Sequence, residues 1–189
     1  MDEKARFPQL VMERLSGEQK SLAEQIMKIS SVGIGGPYNV LLRSPVMARR
    51  MYDLLDYLRW HTSVPARLNE FAILIQARLW RSQVEWFAHY PLALKAGLRD
   101  SVAADLKANR RPRAMQSDES AVYDFCMELA TRHEVSDEVF QRARALFSEQ
   151  QLADLIVLSG TYATVAMVLS AAQQGVPPGK EPPFSAGEP

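Results

Sequence analysis

Glu70, Ser82, Glu85 and His89 are the side chains whose types and spacing could do chemistry. They lie in Arg67-Leu-Asn-Glu70 and in Ser82-Gln-Val-Glu-Trp-Phe-Ala-His89, which puts Glu85 and His89 four positions apart and Ser82 three before Glu85. At helical spacing those three share one face. Phe71, Ile73, Leu74, Ile75, Leu79, Trp80, Trp86 and Phe87 surround them. A carboxyl and an imidazole turned into such surroundings must be paired or must shift their protonation equilibria. A carboxyl lifted toward neutrality beside a histidine is equipment for general acid–base catalysis. Each residue also has a plainer role open to it. Ser82-Gln-Val-Glu85 has the form of a capping box, His89 could be a satisfied core histidine, and Glu70 could face solvent. His61 and His133 stand at no ligand spacing to these residues, so neither a metal site nor a cofactor is expected.

Composition bounds the function. The chain has 189 residues, 47% of them apolar and 23% charged, enough for one domain with a substantial core. Basic and acidic residues balance at 22 each, so no overall charge favours nucleic acid or an anionic membrane. The single cysteine, Cys126, rules out an intrachain disulfide and a CxxC redox pair. The N-terminal stretch has no apolar leader core, and no run reaches the roughly 18 apolar residues that span a bilayer. A cytoplasmic protein acting on a small molecule is expected, with neither nucleic acid nor membrane as partner.

The elements that must position these residues are helical, because no segment alternates with period two. Residues 1–15 read as an extended N-terminal arm broken at Pro8. Ser16-Gly-Glu-Gln19 caps a first helix that should stop at Gly33-Ile-Gly-Gly-Pro37. That glycine-rich stretch has neither a preceding strand nor a following Lys-Ser/Thr, so it reads as a turn beside a pocket and not a phosphate cradle. Ser44-Pro45 opens a helix to about Trp60. Further helices are expected from Ala66 to Leu79, from Ser82 to Ala96 with Gly97 closing it, from Ser101 to Lys107, from Ser117 to Arg132 and from Ser136 to Leu146. Ser148-Glu-Gln-Gln151 caps a long apolar helix ending near Gly175, and residues 173–189 form a proline-rich tail that wraps a surface or a neighbouring subunit. The basic run Asn109–Arg113 reads as a solvated loop, an anion or RNA contact being the other reading. The expected architecture is all-α, about eight helices in a single domain spanning 1–189, with a small-residue segment Gly160–Ala166 that lets helices approach closely in the core or at a subunit interface.

Arg67-Leu-Asn-Glu70-Phe-Ala-Ile-Leu, followed by Ser-Gln-Val-Glu-Trp-Phe-Ala-His89 and Tyr-Pro-Leu-Ala-Leu-Lys-Ala-Gly97, resembles the carboxymuconolactone decarboxylase family, which includes alkylhydroperoxidase D-like proteins. Gly36-Pro-Tyr-Asn-Val-Leu-Leu-Arg-Ser-Pro45 and Gly160-Thr-Tyr-Ala-Thr-Val-Ala-Met167 extend the resemblance over most of residues 36–172. It implies an alkylhydroperoxidase D-like helical bundle that assembles as a homo-oligomer, a trimer or hexamer, with a dimer as the alternative. It places Glu70 on the family's proton-relay glutamate and His89 on the histidine completing the relay, and puts Ser82 and Glu85 where the peroxidase branch has its cysteines. Without thiolates there, disulfide exchange has no nucleophile. The decarboxylase branch implies a cofactor-free acid–base site in which Glu85 and His89 form the hydrogen-bonded pair and Glu70 orients the imidazole. On that reading Ser82 and Gln83 hold the substrate, Trp86 and Tyr90 wall the pocket, and Arg81 or Arg43 pairs with a substrate carboxylate. The substrate would be a small unsaturated carboxy-lactone or related acid from aromatic catabolism. The alternatives are a peroxidase, which would have to rely on Cys126, and a non-catalytic oligomeric binding protein.

Overall fold

The computed structural model describes residues 6–30 and 33–185. Among these, nine α-helices and no strands are found. They are α1 (Gly17–Ile29), α2 (Pro37–Leu41), α3 (Pro45–Asp56), α4 (Ala66–Leu79), α5 (Gln83–Lys95), α6 (Asp100–Lys107), α7 (Ser117–Arg132), α8 (Asp137–Arg144) and α9 (Glu149–Ala172). The all-α expectation holds; the helix beyond the expected eight is α2, a single turn that Pro37 starts at its first position.

The bundle is built around α4, which packs against α5, α9, α7 and α6. Its residues Leu68, Phe71 to Ile75 and Ala77 are all buried, so it is apolar on every side, the pattern of a central helix. α9 lies against it. By length and composition α9 could cross a membrane, contrary to the expectation that no segment could, but half of its most apolar stretch is buried inside the fold. That is the setting of a core helix.

Local signals place most boundaries. Ser16 and Ser148 both complete capping boxes, with Gln19 and Gln151 respectively. Gly97 adopts φ 99°, and its N–H and that of Leu98 bond back to Leu94 and Ala93, closing α5 with the left-handed turn expected there. Ser44 differs: it precedes α3 but its side chain makes no cap hydrogen bond.

α3 runs directly into a π-helical turn, Tyr57–His61. Two buried groups hold this wider turn and the connector after it. Asn69 on α4 donates to the Leu58 carbonyl at 3.0 Å. The Asp154 carboxylate on α9 accepts from the Thr62 hydroxyl at 2.7 Å, from Tyr57 at 3.2 Å and from the Ser63 amide at 3.3 Å.

The described part of the N-terminal arm is tied down by Asn39, which accepts from the Leu10 amide at 2.8 Å and donates to the Phe7 carbonyl at 3.0 Å. Residues 1–5 of the arm lie outside the described residues, as do 186–189 of the tail. The remainder of the tail wraps its own chain: Phe184 is buried against Trp86, with ring centroids 5.2 Å apart. The basic loop is held internally. Arg110 pairs with Asp105 at 2.7 Å, and Arg111 pairs with Asp124 and lies over the Tyr123 ring.

Arg67, from the Arg67-Leu-Asn-Glu70 motif, bonds Asp118 at 2.7 Å and the fully buried Glu119, tying the start of α4 to the start of α7. Arg67→Ala leaves Glu119 as an unpaired buried charge and is expected to cost about 3–5 kcal/mol. Urea unfolding measures this, and a loss below about 1 kcal/mol would show that the pair does not hold the helices together.

Candidate active site

α4 ends in a turn that sets the direction of α5. Arg81 sits at φ 50°, a left-handed conformation that costs a non-glycine residue roughly 1 kcal/mol. The Ser82 amide bonds back to Ala77 and the Arg81 amide to Arg78. This compact reversal lays α5 along α4 and turns Glu85 and His89 inward, 3% and 7% exposed.

His89 Nδ1 lies 2.7 Å from Glu70 Oε2, so the imidazole is held across the packing of α4 and α5 by a carboxylate. A carboxylate accepts, so Nδ1 carries a proton and Nε2 is the ring nitrogen left free of this bond. The Tyr162 ring meets the imidazole edge-on, with centroids 5.1 Å apart and planes at 88°. Two contacts therefore fix the ring, one polar and one aromatic.

Glu85 is in a different situation. Neither carboxyl oxygen completes a hydrogen bond, and neither does the buried Ser82 hydroxyl. Burial pushes the Glu85 carboxyl up to about 8, with the nearby Ser82 hydroxyl offsetting part of the rise. At neutral pH Glu85 is thus a protonated acid. Burial likewise pushes the Tyr162 phenol well up and holds Tyr38 neutral.

Glu85 and His89 open on a partly enclosed cavity of about 120 Å³. Its wall is mainly apolar, from Leu55, Val84, Leu92, Val165 and Leu169, with Tyr38, Arg59 and Tyr162 as further polar members. Ser30, Pro37, Phe87, Ala88 and Pro177 also line it, so the end of α1 and the start of α2 both reach the cavity. Such a wall suits a small, largely apolar ligand with few polar anchor points.

The structure brings together Glu70, Glu85 and His89, though in another pairing than expected: His89 bonds Glu70, and Glu85 bonds neither. The capping box at Ser82 does not form, because Glu85 turns toward the cavity and not back to its helix start. Gln83, Trp86 and Tyr90 are committed elsewhere. The Gln83 amide donates to the Phe184 carbonyl at 2.8 Å and accepts from the Phe184 amide at 2.9 Å. Trp86 packs on Phe184 and Tyr90, and Tyr90 donates to Asp100 at 2.6 Å, so the two aromatics wall a separate groove with Pro183. They face the tail, not the cavity. Arg43 and Arg81 do not reach the cavity either. Arg43 donates to the Pro8 carbonyl and lies over Phe7, and Arg81 donates to the Ser185 carbonyl at 3.2 Å. Tyr38, Arg59 and Tyr162 were not expected in the site; only the Gly36–Pro45 and Gly160–Met167 segments pointed to two of them. Among the described residues no cluster of metal-ligating side chains is found.

No protein-family model matches the chain, and no curated protein does. Solved structures do. An uncharacterized peroxidase-related protein from Ralstonia eutropha JMP134, described as an alkylhydroperoxidase AhpD core, superposes with a TM-score of 0.72 at 14% identity, over 89% of this chain and 90% of its own. An uncharacterized peroxidase-related protein from Silicibacter sp. TM1040 gives 0.71 at 15% identity, over 92% and 94%. A protein of unknown function from Agrobacterium tumefaciens, named for AhpD-type antioxidant defence, gives 0.62 at 18% identity, over 76% and 99%. The chain has the AhpD-like helical fold, as the resemblance implies.

The raised Glu85 acid has a consequence for stability. The folded state keeps the proton up to about pH 8, while the unfolded chain releases it near 4.5. Between those values the folded protein loses stability as pH rises, by about 1.4 kcal/mol per pH unit from this one group. Glu85→Gln, which cannot ionise, is expected to flatten the fall in melting temperature between pH 5 and 8 and to stabilise the protein above neutrality. Parallel pH profiles for the two proteins would show that Glu85 is not buried as an acid.

Proposed function

We propose that this protein is a cofactor-free acid–base enzyme of the decarboxylase type, acting on a small unsaturated carboxy-lactone or related acid from aromatic catabolism. The observation that carries the reading is a protonated, unpartnered carboxyl, Glu85, sharing an apolar cavity with an imidazole that Glu70 holds. Decarboxylation breaks the bond between carbon and the leaving carboxylate, and the bonding pair passes into the conjugated carbonyl as a dienolate. Glu85 gives its proton to the resulting carbanion-like carbon. His89, oriented by Glu70, returns a proton from water to Glu85 and readies it for the next turnover. Assembly as a homo-oligomer and a cytoplasmic setting accompany this reading as expectations from the resemblance.

A peroxide-reducing enzyme is the second reading, favoured by the peroxidase-related proteins that share the fold. It requires a reactive thiolate. Cys126 is fully buried, its thiol is pushed up to about 11 by burial, and its sulfur accepts from the Ser159 hydroxyl at 3.5 Å. It does not line the cavity. That is the environment of an inert thiol.

Candidate carboxy-lactones and hydroperoxides, screened with product detection, test both readings. Glu85→Gln and His89→Ala are expected to lower kcat on the lactone by about 10²–10⁴-fold, the usual range for losing a general acid or base, while circular dichroism shows the fold intact. Cys126→Ala is expected to leave turnover unchanged. Peroxide reduction that disappears in Cys126→Ala would replace the first reading with the second.

A further inference from the structure

Arg59 enters the cavity from the π-helical turn between α3 and α4. Among the described residues lining that cavity it is the one permanent cation, and it takes part in no ion pair. Two carboxylates of this region make other contacts and form no ion pair with it. Asp56 faces His61 at 3.3 Å, and Glu70 is bonded to His89. Glu85, a neutral acid, offers it no charge. Arg59 Nε is buried without a hydrogen-bond acceptor, and its guanidinium rests over the Trp60 ring at 4.7 Å, which limits its conformations. Its positive field reaches Tyr38 and Tyr162 on two other walls, where it offsets part of the rise that burial causes.

A buried, unpaired arginine nitrogen is costly unless something completes it. A guanidinium presents a planar fork that matches a carboxylate. The rest of the wall is apolar or carries polar groups without a permanent positive charge, so an anionic group that stays on the ligand has its match at Arg59. From this juxtaposition we infer that Arg59 is the anchor for a carboxylate on the ligand, and that the site selects small apolar-bodied carboxylates over their neutral isosteres.

The inference deepens the proton-transfer reading and rests on it for the reaction. The carboxylate held by Arg59 is then the one that stays, because an ion pair on the departing group would resist its loss as carbon dioxide. The substrate is accordingly an acid with a second anionic group besides the reacting one. The geometry of the turn supports the assignment. Asn69 holds the Leu58 carbonyl and Asp154 holds Thr62, so the backbone on both sides of Arg59 is fixed by buried groups. π turns recur at functional sites, and here one forms the last turn before the connector to α4.

Calorimetric titration of the full chain with benzoate and with its neutral isostere benzamide tests the anchor. The wild-type protein is expected to bind benzoate at least tenfold more tightly than benzamide. Arg59→Gln should lose that preference and keep its benzamide affinity, and Arg59→Lys should retain part of it. Equal affinity for the two probes, failure of benzoate to bind the wild-type protein at millimolar concentration, or an undiminished preference in Arg59→Gln would overturn the inference. The proton-transfer reading is tested separately by turnover of Glu85→Gln. Lost turnover with an unchanged preference in Arg59→Gln removes only the anchor, and a lost preference with normal turnover of Glu85→Gln removes only the proton transfer.

Discussion

The hydrogen bond from His89 Nδ1 to Glu70 Oε2 joins the central helix of the bundle to the helix beside it, and the site takes its form from that bond. α4 is apolar nearly all round, so a polar group on it must find its partner on a neighbouring helix. Glu70 does so with His89, and this settles which imidazole nitrogen faces the cavity. With the histidine taken, Glu85 one turn earlier on α5 is left buried, and neither of its oxygens completes a hydrogen bond. It is neutral because burial penalises its charged form. Two glutamates a short way apart thus acquire opposite roles from their surroundings, one an orienting anion and the other an acid.

The turn at Arg81 is the local condition for this arrangement. A non-glycine residue in the left-handed region is strained, and the fold offsets that cost by packing α5 back along α4 and by engaging the Arg81 side chain with the tail at Ser185. The tail itself is held by Gln83 and by burial of Phe184, so the segment that closes the chain also supports the first turn of α5. Residues that line no part of the cavity therefore determine where its acid points.

The sequence was most informative where the interaction is local. Capping boxes at Ser16 and Ser148 and the glycine closing α5 are contacts within a few residues, and each formed as its pattern suggests. Glu70, Glu85 and His89 were legible for the same reason, as polar residues at helical spacing in an apolar setting. The box at Ser82 failed because the Ser82 amide is bound into the closing turn of α4 and Glu85 gains a place facing the cavity, which are tertiary effects. Gln83 and Trp86 share their helix with the catalytic candidates but turn to Phe184 in a tail about a hundred positions further along the chain, and Tyr90 turns to Asp100 at the start of α6. Arg59 and Tyr162 join the site only through helix packing, and no spacing in the sequence connects them to His89. The fold likeness to peroxidase-related proteins, at 14–18% identity, fixes the scaffold and leaves the chemistry to the side chains present.

The central claim is that Glu85 is a carboxylic acid at neutral pH. Carbon-13 NMR titration of protein labelled at the glutamate carboxyl carbon measures it directly. The structure predicts one carboxyl resonance titrating near pH 8, absent from the spectrum of Glu85→Gln. A spectrum in which every glutamate, Glu85 included, titrates in the ordinary range around 4 to 5 would contradict it.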